Sequence, residues 1–297
     1  MSTKRFSQSY CSYADMGQER KIIGVMLMRN EEWTARWALE SVRDFCDQVY
    51  VFDHGSTDAT ANIMEQCAGE DEGIQFSRIE HSRESHLVLE SYAGTPTWIF
   101  AVDGDEIYDR KLLQELRPRV LIGEFDDYFK LTGNCLHVER MDSASNQVQG
   151  YECPPAKAVT KLYNFNAIDS WTNVPNERLH DGDVVFRAGY SHDSRYHFWQ
   201  TQNWDDTAMR CLHLCFMTRS PDDNPEVKAR ANISDVAAGK NSKRSLWKRL
   251  TNRANVREMP SAWKEDQYRK GELLDKELSP FLVDSAEVFL QNLNINS

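Results

Sequence analysis

The sequence lacks any apolar stretch long enough to cross a membrane as a helix. Its longest apolar run, over residues 22–28, falls far short of the roughly 20 residues that a span requires. Lys4 and Arg5 are not followed by an apolar stretch, so we expect no signal peptide. The seven cysteines form an odd set without regular spacing, which argues against a secreted disulfide scaffold. These absences predict a soluble cytoplasmic protein.

Positive charge is scarce over most of the chain. The sequence has 35 Lys and Arg against 46 Asp and Glu, a formal net charge of −11. An acidic protein is a poor generic binder of polyanions, because phosphate backbones are held mainly by positive charge. Residues 228–270 are the exception, with twelve basic against four acidic residues. This segment is typical of a solvated helical surface and is also compatible with an anionic partner such as nucleic acid, although no readout motif supports one.

The composition is that of an ordinary soluble protein with a sizeable core. Hydrophobic residues make up 40% of the 297 residues and charged residues 27%. The first 130 residues alternate between apolar runs and helix-like periodicity, which favours a parallel sheet flanked by helices. The predicted strands are 21–28, 48–52, 74–79 and 97–102, and the predicted helices are 31–46, 57–67, 85–92 and 110–120, the last broken at Pro118.

The pattern changes after residue 126, where shorter strands joined by polar loops predict an antiparallel part. These strands are expected over residues 128–132, 136–139, 158–163 and 184–188. The tail beyond Pro225 is mostly helical in pattern. We therefore predict an α/β fold with an N-terminal extension (1–20), a catalytic domain (21–220) and a C-terminal helical segment (221–297). Within the catalytic domain, 21–125 forms the nucleotide half and 126–220 the acceptor half.

Polar clusters follow three of the predicted parallel strands. They are RNEE at 29–32, DHGSTD at 53–58 and DGDE at 103–106. Ligands of open parallel sheets bind beyond the carboxyl ends of the strands, so these clusters should share one rim.

The third cluster predicts a divalent metal site. If the backbone stays extended, Asp103 and Asp105 project to the same side and converge on one point, which favours a bound cation. Mg²⁺ and Mn²⁺ accept such oxygen ligands. Gly104 has no Cβ and allows a bulky anion to approach the backbone. The motif is therefore typical of a metal bridge to a diphosphate, where the metal stabilises charge on the departing phosphate. A solvated acidic turn is the plain alternative.

Three segments together resemble nucleotide-sugar glycosyltransferases of family two, which have the GT-A fold. These are VMLMRNEE, VYVFDHGSTDAT and WIFAVDGDEIYD, and the resemblance covers roughly residues 21–140 with weaker similarity to about 220. It implies inverting transfer of a sugar from a nucleoside diphosphate to an acceptor hydroxyl. A saccharide, a lipid-linked glycan, a protein side chain and a modified nucleobase all remain open as acceptors.

The resemblance also implies roles for individual residues on the donor side. Asn30 and Glu31 match the motif near the nucleotide, and Asp53 matches the aspartate that faces the nucleobase. A carboxylate there accepts the N3–H of uracil or thymine, which favours a UDP- or dTDP-sugar. Asp103 and Asp105 match the aspartates that contact the metal and the ribose. Arg83 matches an arginine near the diphosphate, with a surface salt bridge as its alternative.

In the second half, the resemblance implies a general base and a third metal ligand. Glu177, in VPNERL, is the candidate base, with Asp181, Asp183 and Asp193 as competitors and a surface carboxylate as the plain alternative. His213 is the candidate third ligand, with His192 and His197 as lesser ones. It is alternatively a packed core histidine, or part of a zinc site with Cys211 and Cys215. No paired Cys/His cluster accompanies it in the sequence, which argues against zinc.

Other functional classes fit these motifs less well. A haloacid-dehalogenase phosphatase also carries Asp-x-Asp after a strand, but near the chain start and followed by Gly-Thr, whereas here Glu106 and Ile107 follow. A nucleotidyltransferase usually needs a glycine-rich basic loop after the first strand, where this chain has RNEE. A non-catalytic nucleotide-sugar-binding relative is the remaining alternative.

Overall fold

The computed structural model describes residues 19–157, 160–224, 230 and 262–295. The strands are β1 (Lys21–Met28), β2 (Gln48–Asp53), β3 (Ile74–Arg78), β4 (Thr97–Asp103), β5 (Glu106–Tyr108), β6 (Lys130–Gly133), β7 (Cys135–Asp142), β8 (Gln147–Cys153), β9 (Thr160–Asn164), β10 (Ile168–Thr172), β11 (Asp183–Phe186), β12 (Arg195–His197), β13 (Cys211–His213) and β14 (Leu273–Glu277). The helices are α1 (Ala35–Arg43), α2 (Thr60–Glu70), α3 (Glu84–Leu87), α4 (Arg110–Leu121), α5 (Ala262–Tyr268) and α6 (Ala286–Ile295).

The described part of the chain has a mixed α/β architecture, with one large, mostly parallel sheet and two smaller ones. The large sheet has seven strands in the order β12-β6-β9-β4-β1-β2-β3, of which β4, β1, β2 and β3 are mutually parallel. A five-stranded, mostly antiparallel sheet has the order β14-β8-β7-β13-β5, and β10 pairs with β11. The predicted fold class, a parallel sheet flanked by helices with a smaller antiparallel part, is confirmed.

The large sheet is buried on both faces, which explains the continuous apolar run of β1. On one face Met26 and Trp98 belong to the main core, which also contains Trp37 of α1. On the other face Val25 and Ile99 join a second core under the 160–186 region. Strands buried in this way need apolar residues at every position rather than at alternate ones.

The helices in the described residues are short, and α4, the longest of them, has 12 residues. The predicted break of this helix at Pro118 is wrong. The carbonyl of Pro118 accepts a hydrogen bond from the N–H of Ile122 at 3.0 Å, so the last turn continues past the proline. Within the described ranges, no helix combines the length and the apolar character that crossing a bilayer demands.

The C-terminal part packs into the main core rather than standing apart. The indole N–H of Trp37 donates to the carbonyl of Phe281 at 2.8 Å, and the Trp37 ring lies 5.6 Å from that of Phe289. The tail is not purely helical, because β14 pairs antiparallel with β8. Residues 1–18 of the predicted N-terminal extension, and most of the basic 228–270 segment, lie outside the described residues.

Candidate active site

The carboxyl ends of β1, β2 and β4 meet at one edge of the large sheet. Met28 pairs with Asp53 across β1 and β2, and Leu27 pairs with Asp103 across β1 and β4. The three polar clusters therefore begin side by side, as the sequence predicts. We call this edge the strand-end rim.

Asn30 and Asp53 are buried at the rim with only part of their hydrogen-bonding capacity used. Asn30 has a positive φ of 53°, and its side-chain oxygen accepts from the N–H of Thr57 at 2.7 Å. Its buried side-chain nitrogen has no hydrogen-bond partner among the described residues. Asp53 accepts from the N–H of Ser56 at 3.2 Å. An unpaired buried donor costs about 1–3 kcal/mol, so the Asn30 amide is a natural ligand contact.

Glu31 is a buried carboxylate placed between two arginines. Its Oε1 lies 3.3 Å from Arg219 and 3.2 Å from Arg230. Burial raises the pKa of Glu31 against the opposing effect of these guanidinium groups. Its Oε2 is buried and has no hydrogen-bond partner in the described part of the chain. A Cβ on Gly104 would lie 2.0 Å from this oxygen, so the glycine is required for the close approach.

Asp103 ends β4 and is held by Arg178. The guanidinium of Arg178 lies 2.5 Å from Asp103 Oδ1 and also donates to the carbonyls of Val25 and Val102, at 3.0 and 2.6 Å. Partial desolvation opposes ionisation of Asp103, but the Arg178 guanidinium outweighs this effect and lowers the pKa of the carboxyl to about 2. The Asp103 side chain remains 54% exposed, so an ionised carboxylate is presented to ligands at the rim.

The backbone conformation at Asp105 differs from the extended one that the sequence suggests. The expectation that the backbone stays extended from Asp103 to Asp105 is wrong, because β4 ends at Asp103 and residues 104–105 form a turn into β5. This turn directs Asp105 into a buried position, where its carboxylate pairs with Arg219. His213 Nε2 lies 3.6 Å from the same oxygen of Asp105. The two aspartates are therefore held by different arginines.

His213 is positioned by β13, which lies between β5 and β7. It pairs with Glu106 on one side and with His137 on the other. The Nδ1 atoms of His213 and His137 are 2.9 Å apart, and His137 Nε2 lies 2.7 Å from the carbonyl of Lys157. Burial lowers the pKa of His213 to about 3 and that of His137 well below its ordinary value, so both rings are neutral.

The hydrogen bonds assign the tautomers of both rings. A carbonyl only accepts, so His137 donates from Nε2 to Lys157 and keeps a lone pair on Nδ1. His213 then donates from Nδ1 to His137, which leaves the lone pair of His213 on Nε2. This nitrogen lies 3.6 Å from Asp105 Oδ2. A neutral imidazole whose second nitrogen is held by a hydrogen bond is the usual state of a metal-binding histidine.

A Cys/His group does accompany His213, contrary to the expectation from the sequence. Ligand atoms of Cys135, His137 and His213 lie within 4.8 Å of one another, and all three residues are buried. The sequence does not reveal this group because β7 and β13 are parallel neighbours far apart in the chain. A structural zinc site needs a fourth ligand, and both ring nitrogens of His137 already take part in hydrogen bonds.

Glu106 is a rim residue that the sequence reasoning did not single out. Its carboxylate accepts from the N–H of Asp103 at 3.2 Å and from the hydroxyl of Tyr108 at 3.0 Å. Burial and the nearby charge of Asp103 raise the pKa of Glu106 to about 7. The hydrogen bond to the main chain of Asp103 fixes the turn that separates the two aspartates.

Glu177 lies on a loop, residues 173–182, that reaches over the rim. Its side chain is 22% exposed and lies 3.5 Å from His180. The next residue, Arg178, carries the contact to Asp103. Ser82 donates to the carbonyl of Asn176, which joins this loop to the segment after β3. Arg83 follows in that segment; it is exposed and makes no ion pair within the residues that the structure covers.

Three arginines were missed by sequence reasoning, and all of them contact predicted site residues. Arg178 holds Asp103, Arg219 contacts both Glu31 and Asp105, and Arg230 contacts Glu31. Arg178 stands directly after Glu177 in the chain, but nothing in the local pattern indicates its partner 75 residues away.

Two curated relatives share similarity with about half of this chain. The chain is 27% identical over 169 residues to an uncharacterized glycosyltransferase of Rickettsia felis, which covers 56% of this chain and 55% of that protein. It is 26% identical over 170 residues to one of Rickettsia bellii, with 56% and 53% covered. The chain thus spans about half the length of these relatives. A scan against protein-family profiles gives no match.

Among solved structures, the chain is similar to a mannosyltransferase, PcManGT from Pyrobaculum calidifontis, in complex with GDP-Man and Mn²⁺. The match has a TM-score of 0.30 and 14% identity, and it covers 45% of this chain and 40% of that one. Similarity at this level carries no inference about the site described above.

Proposed function

We propose that the chain is an inverting, metal-dependent glycosyltransferase of family two with the GT-A fold. The observation that carries this proposal is the strand-end rim, where three motif segments follow three adjacent parallel strands. An open parallel sheet binds its ligand at this edge. The names of the two Rickettsia relatives, both glycosyltransferases, support the same class over about half of their length.

On the donor side, the rim offers contacts for a nucleotide. Asp53 is our candidate for the nucleobase, since its carboxylate accepts the N3–H of uracil or thymine, a donor that cytosine lacks. The unpaired Asn30 amide supplies a donor for a nucleotide oxygen. Arg83 is exposed near the rim and is our candidate for the diphosphate or the sugar. We therefore favour a UDP- or dTDP-sugar as the donor.

The donor atoms at the rim are of types that suit a divalent ion, whereas among the described residues the three ligand atoms that come within 4.8 Å of one another belong to Cys135, His137 and His213. Asp105 would supply one carboxylate, and His213 Nε2, 3.6 Å from it, would supply a nitrogen lone pair. The half-exposed side chain of Asp103 would supply a second carboxylate. Carboxylate ligands suit Mn²⁺ and Mg²⁺, and the imidazole favours Mn²⁺ of the two. Arg219 competes for the Asp105 oxygen. When bound, such an ion stabilises negative charge on the leaving diphosphate.

Individual side chains of the protein have separate roles in the sugar transfer. The acceptor oxygen attacks the anomeric carbon from the face opposite the diphosphate, the bond from that carbon to the phosphate oxygen breaks, and the electron pair leaves with the diphosphate. Glu177 takes the proton of the acceptor hydroxyl as general base. Arg178, the next residue, keeps Asp103 ionised and fixed, so its carboxylate needs no rearrangement during the reaction.

A panel of nucleotide sugars with and without Mn²⁺ tests the proposal. We expect UDP- or dTDP-sugars to raise the melting temperature and to release nucleoside diphosphate slowly, both only with Mn²⁺. Asp103→Asn should abolish the release while the chain remains folded, because its carboxylate is half exposed. Asp169→Asn changes an aspartate that is 59% exposed on another part of the surface and serves as the matched control.

Three outcomes would overturn the assignment. Pyrophosphate release from a nucleoside triphosphate and a sugar phosphate would indicate a nucleotidyltransferase. Phosphate release without a metal would indicate a phosphatase. Full activity of Asp103→Asn would exclude the rim as the site of chemistry.

A further inference from the structure

A cavity of about 340 Å³ lies beside the antiparallel strands of the large sheet. This volume is at the small end of ligand pockets and suits a single ring with its substituents. Its walls come from β6, β9, the 173–182 loop and the segment leading into β12. The residues that matter for the argument are Phe129, Lys130, Tyr163, Trp171, Leu179 and Arg195.

Two basic residues are aligned across the strands at this cavity. Arg195 pairs with Lys130 across β12 and β6, and Lys130 pairs with Tyr163 across β6 and β9, so the three side chains share one face of the sheet. The Lys130 amino group lies 5.1 Å from the centre of the Tyr163 ring. Within the described ranges, neither Lys130 nor Arg195 has an acidic group at ion-pair distance.

Asp181 is the acidic residue that lines the cavity, and the Arg195 guanidinium donates to the main-chain carbonyl of His192. Asp181 is exposed, and its main-chain carbonyl accepts the indole N–H of Trp171 at 2.9 Å. His192 lies at the same opening, and Lys161 lies two residues before Tyr163 on the same face of β9. Burial, together with the charges of Lys161 and Arg195, lowers the pKa of Lys130 to about 7. A buried amine in this state is stabilised by any anion that reaches it.

Aromatic side chains supply the rest of the wall. The rings of Phe129, Tyr163 and Trp171 are packed at centroid distances of 5.5–6.0 Å. Each is buried to at least 95%, so their positions are fixed before a ligand arrives. Rigid apolar walls with a few polar groups at one end bind ligands that have an apolar face and a single charged substituent.

We infer that this cavity binds a small organic anion in which a carboxylate or phosphate is attached to a sugar-sized ring. The acidic group would pair with Lys130 and Arg195, and the ring would occupy the cavity that Tyr163 and Trp171 help to line. Asp181 and His192, the lesser sequence candidates for the general base and the third metal ligand, line this cavity, whereas the residues proposed above for the nucleotide, the metal and the general base do not. The inference therefore goes beyond the proposed glycosyl transfer and does not depend on it.

The 173–182 loop nevertheless contributes residues both to the strand-end rim and to this cavity. Leu179 has a positive φ of 56°, a conformation that a branched side chain rarely adopts. With this backbone, Arg178 contacts Asp103 at the rim while Leu179 lines the cavity. Strained backbone of this kind is concentrated at functional sites.

Calorimetric titration of the full chain with three probes tests the inference. The probes are glucuronate, glucose 1-phosphate and neutral glucose. We expect at least one acid to bind saturably at pH 7, and at least tenfold more tightly than glucose. Lys130→Met should weaken acid binding at least tenfold, whereas Lys130→Arg should retain it. Lys111→Met removes a lysine that is 84% exposed elsewhere and should change nothing.

Each outcome of the titration either supports or overturns the proposed anion site. Binding of only one acid supports the site and shows whether it takes a carboxylate or a phosphate. Equal binding of glucose and the acids, no binding of any probe, or unchanged acid binding by a folded Lys130→Met variant would overturn the inference. Asp103→Asn should bind the acids normally, so failure of the proposed glycosyl transfer would leave this result intact.

Discussion

The guanidinium of Arg178 lies 2.5 Å from the carboxylate of Asp103 and at the same time donates to main-chain carbonyls of β1 and β4. One buried side chain thus joins a half-exposed carboxylate at the strand-end rim to the interior of the sheet. The donors of Arg178 serve three acceptors, which an ammonium group cannot match in the same geometry. The position of Asp103 therefore depends on a residue 75 positions later in the chain.

Arg178→Met is expected to lower the free energy of unfolding by about 3 kcal/mol, because the half-exposed Asp103 carboxylate and two main-chain carbonyls lose the donor that they share. The Val25 and Val102 carbonyls lose their donor, and the pKa of Asp103 should rise towards its ordinary value. Urea denaturation at pH 7 measures the loss. Arg178→Lys should give an intermediate value, and a loss under 1 kcal/mol in the Met variant would contradict the structural role.

Gly104→Ala is expected to destabilise the protein by about 1–3 kcal/mol, the usual cost of overpacking. The new Cβ would lie 2.0 Å from Glu31 Oε2 and 3.0 Å from Met28. Gly69→Ala is the matched control, because it lies in α2 with no atom within 4 Å of the added Cβ. That control should stabilise the helix by up to about 1 kcal/mol. Thermal denaturation compares the two, and equal melting temperatures would show that the glycine is not required.

The parallel half of the fold was predictable from the sequence for a simple reason. Strands β1, β2 and β4 are buried on both faces, so each is a continuous apolar run and was predicted within one residue of its bounds. By contrast, β8 mixes polar with apolar residues and β14 ends in three consecutive charged residues, and neither strand was predicted. A strand with one solvated face resembles a loop in composition.

For the candidate site, the sequence predicts the acidic residues but not the groups that hold them. The acidic clusters follow recognisable strands, so their shared rim follows from topology. Their partners Arg178 and Arg219 lie 75 and 188 residues away from the residues that they contact. His137 is likewise brought to His213 only by the pairing of β7 with β13. Contacts of this range depend on tertiary packing, which a local pattern does not contain.

Glu106→Gln should make the protein more stable above pH 7 and leave its stability nearly unchanged below pH 4.5. In the folded state the pKa of Glu106 is raised to about 7, so the folded protein binds more protons than the unfolded chain between these values. Stability from this group is therefore present at low pH and is lost as the pH rises. The neutral amide keeps an oxygen acceptor for Asp103 and Tyr108. We expect a gain on the order of 2 kcal/mol at pH 8.

Melting temperatures from pH 4.5 to 8.5 measure this difference. Glu115→Gln is the control, because its side chain is 62% exposed on α4. A gain of the same size at pH 5 and pH 8 would show that packing, not ionisation, distinguishes the Glu106 variant.

His137→Phe should weaken Mn²⁺ binding without unfolding the protein. Phenylalanine retains a flat ring against Tyr268, which now stacks on His137 at 4.2 Å, but it removes the acceptor for His213 Nδ1. The tautomer of His213 is then no longer fixed, and loss of such a supporting hydrogen bond typically costs about 10–100-fold in metal affinity. Electron paramagnetic resonance of added Mn²⁺ measures the free ion directly, independently of catalysis. Tyr268→Phe keeps the stacking and should bind Mn²⁺ normally. If the His137 variant binds Mn²⁺ as tightly as the natural protein, His213 does not depend on His137 for its role.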